Sequence, residues 1–248
     1  MEIKSLIVFI GICIFLILEF LFPKEKIYFK NKISRISKNI FFWLVNIGIT
    51  PIIILPISIF ATQFELHSLF KFNNSIMNFL FHLMIIDLFL YWWHRFNHQI
   101  PFLWKFHHVH HLDETLDVSS GVRFHFGEVI LSALIRSIII ITFNISLINL
   151  LLIEAIILLS SIFHHSNISI PKKIENILSK IIVTPSIHWV HHHKRQSETD
   201  ANYSTIFSWW DKIFNSKSNF IRKVGMPIGV QGDSEQNLLN LILRPIKK

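Results

Sequence analysis

Three short groups of histidines stand out in the sequence because of their spacing. His94 and His98 are four residues apart in HRFNH, and the segments HHVHH and HWVHH each contain the pattern H-x-x-H-H. The two patterns comprise His107, His110, His111, His188, His191 and His192. Residues three and four apart share one face of a helix, so each group can direct two or three imidazoles at one volume. Imidazole is the commonest metal ligand in proteins, and the spacing therefore predicts a metal site.

Two isolated histidines, His125 in RFHFGE and His165 in FHHSN, raise the number of candidate ligands to ten. Ten nitrogens are too many for one ion but suit two. A histidine-rich surface at a membrane interface is the alternative, and it would be the better interpretation of a single H-x-x-x-H. Three groups together disfavour it, because clustered cationic imidazoles repel one another unless they are neutral or bind metal.

The segments that must position these histidines are apolar enough for a membrane. Of the 248 residues, 51% are hydrophobic and 16% are charged, and the mean hydropathy is +0.47. Residues 6–22, 40–60 and 76–93 each approach the length of about 20 residues that a helix needs to cross a bilayer. We therefore predict an all-α integral membrane bundle with three spans. A cleaved signal peptide is the competing interpretation of residues 6–22, but the run is long for one and no small-x-small cleavage site follows it.

Residues 128–163 are also apolar but are too long for one crossing, and Asn144 and Ser146 interrupt them near the middle. This pattern predicts a helical hairpin. Arg136 and Glu154 lie at similar depth on its two arms, where an unpaired charge would be costly. We therefore expect these two residues to form a structural ion pair.

Positive charge is concentrated in residues 23–39, which carry six Lys and Arg against one Glu. By the positive-inside rule this loop is cytoplasmic, which also places residues 94–127 and 164–248 in the cytoplasm. Thirteen of the fifteen histidines fall in those two stretches, so the topology alone collects them on one membrane face. The net charge of +8 therefore does not indicate nucleic-acid binding. Abundant Ile, Lys, Asn and Phe fit an AT-rich genome and favour a bacterial inner membrane over the endoplasmic reticulum.

The order of the motifs HRFNH, FHHVHH, RFHFGE, FHHSN, HWVHH, NY and WDKIF resembles the fatty acid hydroxylase and sterol desaturase superfamily, over about residues 83–215. The resemblance implies a helical membrane body under a cytosolic, histidine-rich helical cap. It also implies a non-haem centre of two iron ions, with dioxygen as co-substrate and a lipid that is hydroxylated or desaturated. The ligands it implies by position are His94, His98, His107, His110, His111, His188, His191 and His192, with His125 and His165 as further candidates. His108, His164 and His193 occupy variable positions of the pattern and are not expected to be ligands.

Five further side chains are candidates for catalytic or supporting roles: Asp87, Glu128, Asp200, Asn202 and Tyr203. Asp87 lies two helical turns before His94 on the same face, and an acid within a span is a functional-site hypothesis by default. A structural polar contact to Arg95 or to an indole is an equally good alternative. Glu128 is a candidate ligand, base or partner of Arg123, and the other three residues closely follow the third histidine group.

The electrons for such a reaction are expected from another protein. The sequence has no G-x-G-x-x-G fingerprint for a nicotinamide or flavin, and its single cysteine, Cys13, cannot hold an iron–sulfur cluster. A cytochrome b5-, ferredoxin- or reductase-like donor with an acidic surface would suit the basic cytoplasmic face. The lipid substrate is expected to enter sideways from the bilayer.

Other functions stay open on these residues. A zinc-binding membrane protein, either a transporter or a structural protein, is the alternative from another class. Transport is disfavoured because the few ionisable residues in the spans form no continuous path. Carotenoid hydroxylation and ether-lipid cleavage are alternatives on the same scaffold. We expect residues 76–215 to form the catalytic unit, between spans with a basic loop at 1–75 and a basic cytoplasmic tail at 216–248.

Overall fold

Helices make up most of the part of the chain that the structure describes. The structure, a computed structural model, describes residues 2–26, 32–64 and 72–247. Within those ranges the extended contacts are isolated bridges, and no β-strand forms. The α-helices are α1 (Glu2–Leu21), α2 (Lys32–Ile49), α3 (Leu55–Thr62), α4 (Ser75–Gln99), α5 (Pro101–His111), α6 (Phe126–Thr142), α7 (Leu147–His165), α8 (Lys172–Leu178), α9 (Pro185–His191), α10 (Gln196–Thr199), α11 (Trp209–Ile213) and α12 (Leu238–Leu243). The predicted all-α class is confirmed.

Three helical segments are long and apolar enough to cross a membrane: Lys32–Thr62, Ser75–Gln99 and Leu147–His165. The first two contain the predicted spans 40–60 and 76–93. The predicted span at 6–22 lies on α1, which has 20 residues, and its segment Ser5–Leu21 is one of the shorter apolar helices. The third segment is α7, which is the second arm of the predicted hairpin. The first arm, α6, has 17 residues and is not one of these three segments.

The segment Lys32–Thr62 changes its helical winding in the middle. Residues Thr50–Ile54 form a π-helical turn between α2 and α3. Pro51 has no backbone N–H and therefore cannot continue the ladder of α-helical hydrogen bonds. The Thr50 hydroxyl donates to the carbonyl of Asn46 at 2.7 Å. Single π-helical turns inside α-helices often mark functional sites, and this one borders the cavity described below.

The hairpin of α6 and α7 forms as predicted, with its turn at residues 143–146. Asn144 has φ = 50°, in the left-handed region that Asn tolerates better than most residues, and the Ser146 side chain caps α7 by accepting from the Asn149 N–H. The expected ion pair is also confirmed, because Arg136 Nη2 lies 3.3 Å from Glu154 Oε1.

A network of charged and polar groups holds the segments around the histidines together. The Arg35 guanidinium donates to Asp113 at 3.0 Å and also to Asp117, and all three side chains are buried. Arg123, which has no solvent exposure, donates to Glu235 at 2.7 Å. This contact fixes residues of the predicted tail against the end of the helical bundle that carries the histidines. Buried charges are tolerated when they are paired and hydrogen-bonded in this way.

Close backbone packing brings α7 against the 3₁₀ turn Val118–Val122. A Cβ atom on Gly121 would lie 2.8 Å from the Cα of Ile162 and 2.9 Å from the carbonyl oxygen of Ser161. Only glycine allows this approach. The contact places the last turn of α7, which carries His165, next to α5.

Candidate metal centre

Four elements deliver buried histidines to one end of the helical bundle. The last turns of α4 carry His94 and His98, and α7 ends at His165. The remaining side chains come from α5 and from the α9 region, namely His107, His110, His111, His188, His191 and His192. Proline at the first turn of α5 and of α9 fixes where each short helix begins.

The nitrogens of these histidines form two groups that could each hold a metal ion. The first group consists of His94, His98, His107, His111 and His191. The second consists of His110, His165, His188 and His192. Within each group one nitrogen from every residue lies within 4.8 Å of the others. The rings of His111 and His192 stack at 4.3 Å between centroids, so the two groups adjoin.

The hydrogen bonds at the outer nitrogens determine which inner nitrogens lack a proton. The backbone carbonyls of Arg123 and Ser161 lie 3.1 and 2.7 Å from Nδ1 of His110 and His165, and a carbonyl can only accept. Each Nδ1 therefore carries the proton, and each Nε2 of these neutral rings presents a lone pair. These two Nε2 atoms nevertheless face each other at 2.9 Å. Two lone pairs at that distance repel, whereas a cation between them would be bound by both.

The first group follows the same rule. Nδ1 of His94 lies 2.8 Å from the carbonyl of Tyr203, and Nδ1 of His191 lies 2.7 Å from the carbonyl of Ala201. The Nε2 atoms of His191 and His111 approach to 3.2 Å, and His94 Nε2 is buried without a partner. Metal-binding histidines usually donate their other ring N–H to a carbonyl or carboxylate. Both groups therefore fit metal ions.

Burial favours the neutral form of five histidines outside the membrane-spanning segments. It lowers the pKa of His110, His111, His188 and His192 well below 6.5, and repulsion between neighbouring imidazoles acts in the same direction. Burial also lowers the pKa of His191 to about 3. Only the neutral form of imidazole can donate a lone pair to a metal ion. The site is therefore prepared for cations at neutral pH.

Three of the five predicted supporting residues lie against the histidine groups. Glu128 Oε1 accepts from His107 Nδ1 at 3.0 Å and therefore orients that ring. Asp200 Oδ1 lies 3.4 Å from His98 Nδ1. Besides its carbonyl contact to His94, Tyr203 packs its ring against His98 with centroids 5.3 Å apart.

The other two supporting candidates make structural contacts. The Asp87 carboxylate accepts from the backbone N–H groups of Ile206 and Phe207, each at 3.0 Å, and from the Trp210 indole at 2.8 Å. This is the polar contact to an indole that the sequence left as an alternative. Asn202, with φ = 56°, accepts from the Ser218 N–H at 2.9 Å. Both residues shape the loop that carries Tyr203 rather than facing the histidine groups.

His125 is not brought into either group, in contrast to the expectation from the sequence. Its Nδ1 accepts from the Gly127 N–H at 3.0 Å and thereby caps the start of α6. Its Nε2 lies 3.1 Å from the carbonyl of Ile242. Both ring nitrogens are thus engaged by backbone groups, which leaves none for a metal ion.

The three histidines not expected to be ligands lie outside both groups. His108 Nδ1 accepts from Arg244 at 3.1 Å, and His193 Nδ1 accepts from the Arg195 N–H at 2.9 Å. His164 is buried beside His188 with ring centroids 4.0 Å apart.

The sequence analysis missed Asn97, whose side chain donates to Glu128 Oε1 at 3.1 Å. Asn97 is 1% exposed and lies inside the first histidine motif, HRFNH. Its position three residues after His94 would have placed it on the ligand face of the helix.

A cavity of about 340 Å³ leads from the histidines into the helical bundle. His107, His110 and His188 line one end of it, and the Arg136–Glu154 ion pair lines the wall deeper in the bundle. Between these ends the wall is mostly apolar and includes Trp43, Leu90, Trp93, Val129 and Leu158. Such a cavity suits an apolar chain.

Comparison with known proteins places these motifs among lipid-modifying enzymes. The family profile "Fatty acid hydroxylase" matches residues 79–216. The chain is 28% identical over 166 residues to an ornithine lipid hydroxylase of Rhizobium tropici, covering 67% of this chain and 49% of that protein. It is 29% identical over 133 residues to the human alkylglycerol monooxygenase and 30% over 131 residues to that of Danio rerio, in each case 53% of this chain and 28% of the relative. The chain thus spans half or less of the length of these relatives. No solved structure matches it significantly.

Proposed function

This chain belongs to the fatty acid hydroxylase family, and from that premise we propose that it is a membrane-bound oxygenase that hydroxylates or desaturates a lipid at a centre of two iron ions. The observation that carries the proposal is the pair of adjoining histidine groups at the head of an apolar cavity. Nine imidazoles suit two divalent transition-metal ions, one in each group.

The proposed ligands are the nine histidines of the two groups. His94, His98, His107, His111 and His191 would hold one ion, and His110, His165, His188 and His192 the other. Iron bound there would supply activation of dioxygen and removal of hydrogen from an unactivated carbon. Hydroxylation leaves one oxygen atom in the product and reduces the other to water, so two electrons and two protons must reach the site.

The chain's own groups orient the site and keep water away. Carbonyls of Tyr203, Arg123 and Ala201 hold the Nδ1 protons of His94, His110 and His191 and fix the direction of each ring. Glu128 does the same for His107. Apolar side chains of the cavity exclude water from the carbon that is to be oxidised.

We propose a polar lipid as the substrate class. The relatives are named for an ornithine lipid and for alkylglycerols, both of which combine a long apolar chain with a polar group. Alkylglycerol monooxygenase relatives favour cleavage of an ether lipid as the second candidate activity on the same scaffold. A cavity that begins at the histidines and is lined by apolar side chains accommodates either kind of substrate.

The histidine end is proposed to face the cytoplasm, as the basic residues at 23–39 favour. This orientation would let a soluble or membrane-anchored electron donor reach the site, and we propose a separate cytochrome b5-, ferredoxin- or reductase-like protein for that role. A bacterial inner membrane is the proposed location.

Metal analysis tests the proposal directly. Protein purified from cells grown on iron-57 should contain about two irons per chain and give the Mössbauer signal of a coupled diferric pair. With a reductase system and labelled dioxygen it should transfer labelled oxygen to a membrane lipid. Stoichiometric zinc together with no oxidation after iron reconstitution would contradict the proposal.

A further inference from the structure

Three residues that line the cavity each have a buried oxygen acceptor without a hydrogen-bond donor among the described residues. The atoms are Oδ1 of Asn46, Oδ1 of Asn97 and Oε2 of Glu128. Asn97 and Glu128 are 1% and 6% exposed. Buried acceptors without a partner are rare in folded proteins and costly, so a group of three in one wall calls for a ligand that donates.

The hydrogen bonds fix the orientation of both amides. Asn46 Nδ2 donates to the carbonyl of Phe124 at 2.9 Å, and Asn97 Nδ2 donates to Glu128 Oε1 at 3.1 Å. Both partners can only accept, so each amide must turn its nitrogen toward them and its oxygen away. Glu128 Oε1 receives His107 Nδ1 as well, which leaves Oε2 as the carboxylate oxygen without a donor.

These acceptors adjoin both histidine groups. Glu128 contacts His107 of the first group at 3.0 Å. Asn46 contacts Phe124, whose ring stacks on His110 of the second group with centroids 4.5 Å apart. A polar group bound by these oxygens would therefore lie next to the carbon presented to the metal ions.

We propose that Asn46, Asn97 and Glu128 bind a polar group of the lipid that carries several N–H or O–H donors, such as an ammonium or vicinal hydroxyls. The inference rests on the proposed function and narrows its substrate class: oxidation occurs close to the polar group, while the apolar chain fills the rest of the cavity. Carboxylates and phosphates are disfavoured there because they would bring further acceptors against the Glu128 carboxylate.

Ligand binding to the full-length protein tests this without turnover. The protein is loaded with zinc in phosphatidylcholine nanodiscs, and dissociation constants are measured from the fluorescence of tryptophans, two of which, Trp43 and Trp93, line the cavity. One pair of probes is 1-O-hexadecylglycerol and its 2,3-di-O-methyl ether. The other pair is 2-(hexadecyloxy)ethylammonium and its N,N,N-trimethyl analogue, which keeps the charge but has no donor.

We expect the donor-bearing member of at least one pair to bind about 10-fold more tightly than its methylated partner, and the pair that discriminates identifies hydroxyl or ammonium as the recognised group. Asn46→Leu, which removes a side chain that donates to the carbonyl of Phe124, should reduce this preference about 5-fold at unchanged zinc content. The matched variant Asn149→Leu should keep it, because Asn149 pairs with His82 outside the cavity wall.

The inference would be overturned if both members of each pair bound equally well or did not bind at all. An unchanged preference in Asn46→Leu would overturn it as well. The outcome is independent of the proposed function, because zinc-loaded protein carries out no oxidation. If the protein prefers the donor-bearing lipids but contains no iron, the inferred binding site is supported and the proposed oxygenase activity is contradicted.

Discussion

At the scale of single residues, the acceptors that surround the histidines determine their chemistry. A carbonyl at Nδ1 holds the proton there and leaves Nε2 free to bind a cation, as at His110, His165 and His191. Where both ring nitrogens meet backbone groups, as at His125, no lone pair remains for metal. Histidines of different motifs therefore differ in whether a ring nitrogen is available for a metal ion, because their backbone surroundings differ.

Removing one ligand should abolish oxidation. We expect His191→Ala to retain its helical content but to lose at least half of its metal and its lipid oxidation by about 100-fold or more, because His191 contributes a nitrogen to the first group and contacts His111. Metal content and product formation on the same preparation are the measurements. His193→Ala, outside both groups, is the matched control, and equal activity of the two variants would refute the ligand assignment.

The spacing of the histidines was sufficient to predict most of this site. Spacings of three and four on a helix identified the residues that α5 and α9 deliver, since local geometry alone puts them on one face. His125 could not be judged in that way, because its partner Ile242 is more than a hundred residues away in sequence. Asp87 was equally ambiguous until the loop at 206–210 was seen to close over it.

At the scale of elements, the α6–α7 hairpin contains a charge pair within the apolar bundle. Arg136 and Glu154 have side chains that are 12% and 24% exposed. Removing one partner of such a pair leaves an uncompensated charge, whereas replacing both by apolar groups removes the desolvation cost as well.

The pair gives a stability prediction. We expect Arg136→Met and Glu154→Leu alone each to lower the free energy of unfolding by about 3 kcal/mol, and the double variant to recover most of that loss. Thermal unfolding in detergent, followed by far-UV circular dichroism, measures all three. A double variant as unstable as the sum of the single ones would show that the two charges act on different partners.

The length of the apolar segments and the helix-breaking residues predicted the hairpin. They did not predict the local helix geometry within the spans. Asn144 and Ser146 marked the turn because both residues favour non-helical backbone. The π-helical turn at Thr50–Ile54 was not foreseen, since Pro51 signals a break in a helix without indicating how the hydrogen bonds rearrange. The span expected at residues 6–22 matches α1, Glu2–Leu21, to within one residue at its C-terminal end.

At the scale of the whole molecule, the proposed metal binding would be coupled to folding. The histidines come from α4, α5, α7 and α9, so ions in the two groups would cross-link residues 94–111 with residues 165–192, which are distant in sequence. A ligand that binds only the folded state, present at about 1,000 times its dissociation constant, adds about 4 kcal/mol of stability.

Metal removal should therefore lower the unfolding temperature at pH 7.5, and the chelated protein should unfold at a still lower temperature at pH 5.5. The folded-state pKa values of His191 and His108 are about 3 and 4, against 6.5 for free histidine. Between these values the unfolded chain binds more protons, so stability falls as the pH falls below about 6.5, by about 1.4 kcal/mol per pH unit for each such histidine. Scanning calorimetry of chelated and metal-loaded protein at both pH values measures this, and identical curves would argue against a metal site.

The order of the ligands along the chain has a consequence for biosynthesis. His94 to His111 leave the ribosome early, but both groups stay incomplete until residues 188–192 have followed, after all three membrane-spanning candidates. Glu235 and Ile242, which hold Arg123 and His125 in place, emerge later still. Loading of the proposed metal centre would thus follow insertion of these segments, and a nascent chain that stops before residue 188 would present no complete set of the proposed ligands to the cell's iron.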